Sequence, residues 1–300
     1  MGERSLLDVK YQQTNSPNDI TMKQFFALAL AAVSSAASAQ MPATNPMPDG
    51  SRDMYAGLGA VSRARYEGAD SSKTSVLPVL QVQWSNGVFI SGMSAGVHLS
   101  TSPTLEYGPL LSLHASRDES GAGGIVDGMG TVALLPLAAR MQQGNRLAGM
   151  PDVSTRVEGG AFLNYYLSPA WRLTSSVLIG SGNERDGARM ELGVQRLAVA
   201  IAPQHTVSFN AGVTLVNADY NRAYFGVTEN DAWNSGNPVY RPGGGLKDVR
   251  VGARWNWALS PSWMLTTNVQ ATRLVGSVRN SPLVERPTNV TVSTAFAYRF

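Results

Sequence analysis

Eleven residues at the C-terminal end, Val290 to Phe300, alternate without interruption. Val290, Val292, Thr294, Phe296, Tyr298 and Phe300 fall on one side of an extended chain, and Thr291, Ser293, Ala295, Ala297 and Arg299 on the other. A ribbon with one apolar and one small or polar face belongs in a sheet. In a water-soluble sandwich a last strand usually runs out into a polar tail. A strand that stops on Phe, with aromatics at its foot, has the form of the closing strand of a bacterial outer-membrane barrel. Its apolar face then points outward to lipid rather than inward to a core.

The composition agrees. Only 15% of the 300 residues are charged, against about a quarter in soluble domains. Cysteine is absent, which excludes a disulfide framework, a thiolate metal site and a cysteine nucleophile. A formal charge of +3 is too small to argue for nucleic acid, so none is expected as a partner. No cofactor is expected either: Gly243-Gly244-Gly245 lacks the Lys-Ser and the helix of a phosphate loop.

No run approaches the roughly 18–20 apolar residues of a membrane-spanning helix. The one helical apolar stretch, Phe25 to Val33, follows Met22-Lys23-Gln24 and ends at Ala37-Ser38-Ala39. A basic start, a short hydrophobic middle and an A-x-A site predict a signal peptide over 22–39, cleaved between Ala39 and Gln40. Met1 to Thr21 has no place in this pattern. It reads as a non-native upstream extension, with translation starting at Met22; a genuine extended leader is the alternative. Residues 40–53, rich in Pro and Asn, form a loose leader, and 54–300 the barrel.

From Tyr55 onward the period is two. Val249, Val251, Ala253, Trp255 and Trp257 oppose Arg250, Gly252, Arg254 and Asn256; Leu105 to Leu113 and Val207 to Leu215 behave alike. The turns repeat. Leu167-Ser168-Pro169-Ala170-Trp171 returns as Leu259-Ser260-Pro261-Ser262-Trp263, and Ala202-Pro203-Gln204-His205 is a looser copy. Pro fixes φ at the bend, and the Trp after it suits an interfacial aromatic belt with Trp257, Tyr298 and Phe300. Long connections near 117–152, 183–187, 217–246 and 277–287 alternate with these tight turns, as in outer-membrane barrels.

Eleven strands are legible: 54–63, 75–84, 87–99, 104–116, 157–167, 171–182, 187–200, 205–216, 247–258, 263–276 and 288–300. A single-chain bacterial barrel needs an even number. One strand is therefore missed or split, most simply before residue 150. The expected fold is all-β, a closed antiparallel transmembrane β-barrel of about 12 strands, with ten as the alternative. A soluble β-sandwich shares the alternation but does not predict the Trp-after-turn repeat.

Residues from Tyr220 to the end resemble the MipA/OmpV family of MltA-interacting outer-membrane proteins. The resemblance rests on Tyr220-Asn221-Arg222-Ala223-Tyr224-Phe225-Gly226-Val227, Ser235-Gly236, Gly243 to Leu246, Arg273-Leu274-Val275-Gly276, Ser281-Pro282-Leu283-Val284 and Ala297-Tyr298-Arg299-Phe300. It extends more loosely through Tyr66-Glu67-Gly68 and Leu147-Ala148-Gly149, to cover about 54–300. The resemblance implies residence in the outer membrane, in contact with its lipid. In part of the family it implies a scaffold joining a lytic murein transglycosylase to a peptidoglycan synthase. Other members are regarded as porins or osmolarity-linked proteins. It supplies no catalytic residues.

Three constellations remain. Arg172, Arg189, Arg250, Arg254 and Arg299, with Glu106, Glu158 and Glu191, fall on the polar face. They make either a pore wall favouring anions or an Arg–carboxylate network filling a narrow lumen. Tyr220, Tyr224, Phe225, Trp233 and Tyr240 cluster in the 217–246 loop, as a plug packed on itself or an adhesive surface. His114 shares a face with Ser112, Ser116 and Glu106, the residue types of a Ser–His–Glu hydrolase, though same-face spacing of about 6–7 Å exceeds hydrogen-bond reach. His205 reads as a solvated turn residue. No metal site is expected. The functional expectations are a non-enzymatic envelope scaffold, a pore, or remotely an enzyme acting on envelope lipid.

Overall fold

The structure is a computed structural model and describes residues 54–299 apart from 85, 101, 120 and 123–144. The expected upstream extension, signal peptide, Ala39–Gln40 cleavage site and leader, and Phe300 of the expected belt, lie outside the described residues. In chain order the strands are β1 (Tyr55–Ala64), β2 (Ser72–Gln83), β3 (Val88–Ser91), β4 (Ser94–Val97), β5 (Leu105–His114), β6 (Arg117–Asp118), β7 (Gly121–Ala122), β8 (Arg156–Ser168), β9 (Trp171–Ser181), β10 (Gly187–Ala202), β11 (His205–Val216), β12 (Gly245–Ala258), β13 (Trp263–Leu274) and β14 (Thr288–Arg299). Two helices, α1 (Ala218–Phe225) and α2 (Glu229–Ser235), lie between β11 and β12.

All strands except β6 and β7 form one closed antiparallel barrel of twelve. β1 closes the ring against β14, with Tyr55 opposite Arg299 and Ser62 opposite Val292. A Cβ on Gly57 would stand 2.1 Å from the Phe296 carbonyl oxygen, so the seam needs a glycine there. The expected segment 87–99 is two strands, not one: β3 and β4 fold back over Gly92-Met93, with Ser91 opposite Ser94. Gly92 has φ +62°, as the first central residue of a two-residue hairpin turn requires. Each arm is only four residues long, so the alternation runs through the bend almost undisturbed.

Faces alternate as the period demands. Leu58 is 65% exposed and Val251 59%, both pointing outward, whereas inward-facing Val61 and Ala295 are buried. The turn repeat has a local cause. Ser168 Oγ accepts from the Ala170 N–H at 3.2 Å, and Ser260 Oγ from the Ser262 and Trp263 N–H groups at 3.3 and 3.1 Å. The serine hydroxyl thus caps the bend that proline presets. The ring of Trp263 then stacks on Phe296 (4.6 Å) and meets Tyr298 edge-on (5.0 Å). Trp171 lies under the Arg196 guanidinium at 5.6 Å. His205, expected in solvent, instead stacks on Trp255 and Trp257 at 5.6 and 5.3 Å. Register explains this: His205 is the first residue of β11 and sits opposite Trp257.

The packed hydrophobic core lies at the end of the barrel bearing the long loops. One cluster joins Val153, Val216, Tyr220, Tyr224, Phe225, Leu274 and Val278. A second joins Tyr66, Ala69, Leu147, Met150, Val227 and Leu283. Burying each such large side chain is worth about 1.5–3 kcal/mol, so the loops form an ordered cap.

Candidate functional site

The cap begins at Asn217. Its Oδ1 accepts from the Tyr220 N–H at 2.9 Å and starts α1, and it also accepts from the Ala188 N–H at 2.9 Å, tying the helix to β10. Thr228 and Asp231 exchange hydrogen bonds as a capping box for α2 (2.9 and 3.2 Å), and Gly236 ends that helix in the left-handed region. Arg117, at the base of the β6–β7 hairpin, donates to the Tyr224 and Pro151 carbonyl oxygens. Burial pulls its guanidinium below the ordinary arginine range. Burial also raises the phenols of Tyr66 and Tyr220, and pushes Tyr224 up to about 12.

Of the loop aromatics, Tyr220, Tyr224 and Phe225 are buried under the cap, and the Tyr240 hydroxyl donates to the Ser277 carbonyl at 2.6 Å. Trp233 is different: it projects from α2, 90% exposed.

Beneath α1 the polar face carries a continuous chain of charge. Glu158, fully buried on β8, accepts from Arg189 Nε at 2.9 Å, and His114 Nδ1 lies 3.1 Å from its other oxygen. The latter contact becomes a hydrogen bond when Nδ1 carries the proton. Arg189 also meets Glu191 at 2.5 Å, and Arg250 meets the second Glu191 oxygen at 2.7 Å. Arg250 further donates to Thr214 Oγ1 at 2.8 Å, and Thr214 in turn to Asp248 at 2.9 Å. Lys247 Nζ closes the chain, 3.2 Å from Asp248 and 2.7 Å from Glu67 of the β1–β2 loop. Lys247 also lies 5.3 Å from the centre of the Tyr220 ring. His114 packs against both Tyr220 and Tyr224. The charge chain therefore touches the cap at both of its ends.

Sequence reasoning missed Lys247, Asp248 and Glu67. Strict alternation would turn either Lys247 or Asp248 outward. The register slips between Thr214 and Leu215, where Asp248 pairs with one and Leu246 with the other. This bulge turns both charged side chains inward, at 5% and 4% exposure. Two adjacent charges at the head of an otherwise alternating strand were the available signal.

The remaining expected charges sit nearer the short-turn end. Arg172 donates to Gln195 at 2.6 Å and to the Tyr166 hydroxyl at 3.2 Å, with Glu106 at 3.9 Å. Glu106 accepts from Tyr166 at 2.9 Å and Asn164 at 3.2 Å. Arg254 follows Arg250 by four residues on the inward face of β12. Arg299 is exposed at the end of β14. The Ser–His–Glu set is not assembled. His114 meets Glu158, Ser112 meets Ser94 Oγ at 3.1 Å, and Glu106 lies eight residues down β5 from His114 among other partners.

Two cavities flank the charge chain. One of about 310 Å³ lies under the cap, lined by His114, Tyr220 and Lys247 among others. The other, about 430 Å³, lies toward the short turns, lined by Glu106, Phe162 and Arg172. Ser91, Glu191 and Arg250 line both, so the Arg250–Glu191 ion pair stands at the partition between them.

A closed even-stranded barrel, apolar outside and charged within, with no helix among the described residues able to cross a membrane, is an outer-membrane β-barrel. Its long-loop end is then extracellular and its short-turn end periplasmic. The family model described as MltA-interacting protein MipA matches residues 56–300, and the chain belongs to that family. Among relatives, outer membrane protein Omp26La of Vibrio anguillarum is 32% identical over 90 residues, 30% of this chain and 34% of that protein. Outer membrane protein OmpV of Vibrio cholerae serotype O1 is 29% identical with the same coverage. The chain thus spans about a third of the length of these relatives. Among solved structures, the Pseudomonas putida toluene transporter TodX aligns with TM-score 0.35 and 10% identity over 89% of this chain and 93% of its own. The outer membrane channel DcaP of Acinetobacter baumannii aligns with TM-score 0.35 and 8% identity over 83% and 96%.

Proposed function

We propose that this protein is a non-enzymatic, gated conduit for small polar solutes across the outer membrane, held closed by α1 and by the charge chain beneath it. The observation that carries this reading is the meeting of two cavities at the Arg250–Glu191 ion pair, with Ser91 bordering both. A lumen meant only to be filled would leave no such pair of chambers. Purified barrel in planar bilayers should show rare, discrete, salt-dependent openings, and Arg250→Ala should make them frequent. Silence from both proteins, with the barrel folded, overturns the proposal.

A scaffold for murein enzymes is the second reading, and the family's description as MltA-interacting favours it. A lytic murein transglycosylase and a peptidoglycan synthase would have to dock on periplasmic connections as short as Pro169-Ala170 and Pro203-Gln204. Retention of purified transglycosylase on immobilised barrel tests it. No retention, while lipid-embedded barrel remains folded, removes this reading.

A further inference from the structure

The periplasmic cavity is furnished differently from the partition above it. Three rings form one side: Phe89 and His98 with centroids 4.7 Å apart, Phe89 and Phe162 at 5.6 Å, and His98 and Phe162 at 5.2 Å. Both pairs involving Phe162 are close to edge-on. The ring faces not spent on one another form an apolar wall inside a polar lumen. His98 supplies the third flat ring of this wall.

Facing this wall is Arg172. Arg189 and Arg250 are matched to carboxylates at 2.5–2.9 Å. Arg172 is not. Its hydrogen bonds go to neutral groups, the Gln195 amide and the Tyr166 hydroxyl, and Glu106 stays at 3.9 Å. Glu106 is turned to its own donors, Tyr166 and Asn164. The guanidinium also lies over the Tyr166 ring at 5.7 Å. Arg172 is therefore fixed in direction while its charge is loosely compensated, the state of a fork prepared for a carboxylate. A cavity of about 430 Å³ is of the size that encloses small ligands.

We propose that this cavity binds a small aromatic carboxylate, its anionic end on Arg172 and its ring against Phe89, His98 and Phe162. The site stands whether or not the barrel conducts.

Binding is measured on the full barrel in detergent by calorimetry, with benzoate as the probe and benzyl alcohol as its neutral counterpart. Benzoate should bind saturably and at least roughly tenfold more tightly than benzyl alcohol. Arg172→Gln should erase that difference. Phe162→Leu should weaken benzoate while leaving butyrate unchanged. Glu106→Gln, which removes the opposing charge and keeps Arg172, should tighten benzoate. It carries the test alone if Arg172→Gln does not fold. Absence of saturable benzoate binding, equal binding of the two probes, or no tightening in Glu106→Gln overturns the proposal. Conductance is not read here, so failure of this site and failure of the conduit reading are separate results.

Discussion

Arg189 is the hinge of the charge chain, and its removal has a calculable cost. It donates to Glu158 at 2.9 Å and to Glu191 at 2.5 Å. Glu191 keeps Arg250 when Arg189 is lost; Glu158, fully buried, keeps only His114. Breaking a buried pair by removing one partner costs about 3–5 kcal/mol. The Arg189 side chain is 17% exposed and borders a cavity, which places Arg189→Met near the lower end, about 3 kcal/mol. Glu158→Gln removes the stranded charge. The double variant should therefore recover most of the loss, with a coupling energy of about 2 kcal/mol. Urea titration of the barrel in lipid vesicles, followed by tryptophan fluorescence, reads both numbers from midpoints at constant slope. If Arg189→Met costs less than about 0.5 kcal/mol, or the double variant is no more stable than the single, Glu158 does not depend on Arg189 and the charge chain is not a unit.

Two further outcomes follow from the cap. Burial raises the phenols of Tyr66, Tyr220 and Tyr224, Tyr224 to about 12, against about 10 in an unfolded chain. Their stabilising contribution is complete below pH 10; that of Tyr224 is lost as pH rises from there through about 12, and those of Tyr66 and Tyr220, raised further, only at higher pH still, so phenolate absorbance at these positions should appear only together with loosening of the cap. Thr228→Ala removes one arm of the α2 capping box and should cost about 1 kcal/mol. Hydrogen exchange should rise in α2 and leave the barrel strands as they were; a uniform rise would mean the cap and barrel open together.

The architecture was legible where period and turn chemistry agree. Val249 to Trp257 alternates, its neighbours alternate, and Ser-Pro-x-Trp marks the bends, so a closed antiparallel barrel follows. Segment 87–99 misled because a two-residue turn inside a short hairpin leaves the period of two nearly intact, and only Gly92 betrays it. The helices carried a signal that was passed over: Thr228-Glu229-Asn230-Asp231 has the spacing of a capping box. Alternation also says which charges point inward but not whom they meet. Glu158 on β8 and Arg189 on β10 face each other across β9, a pairing set by strand stagger that no local spacing encodes. The same stagger brings His114 to Glu158 on the neighbouring strand and leaves Glu106 to Tyr166.

On the conduit reading, the join between the cap and the charge chain would make opening a concerted act. Tyr220 lies against His114 at one end of the charge chain and over Lys247 at the other. Lifting α1 away exposes apolar clusters at the cap and strips both ends of the chain of their aromatic cover. Breaking the chain at Lys247 leaves buried Asp248 with Thr214 and an Arg250 guanidinium 3.9 Å away, and breaking it at Arg250 leaves Glu191 with Arg189, each a carboxylate short of a partner. Neither half moves cheaply alone. If the barrel conducts as proposed, a stimulus that opens it must supply a cationic or hydrogen-bond-donating partner to these carboxylates as it displaces the helix.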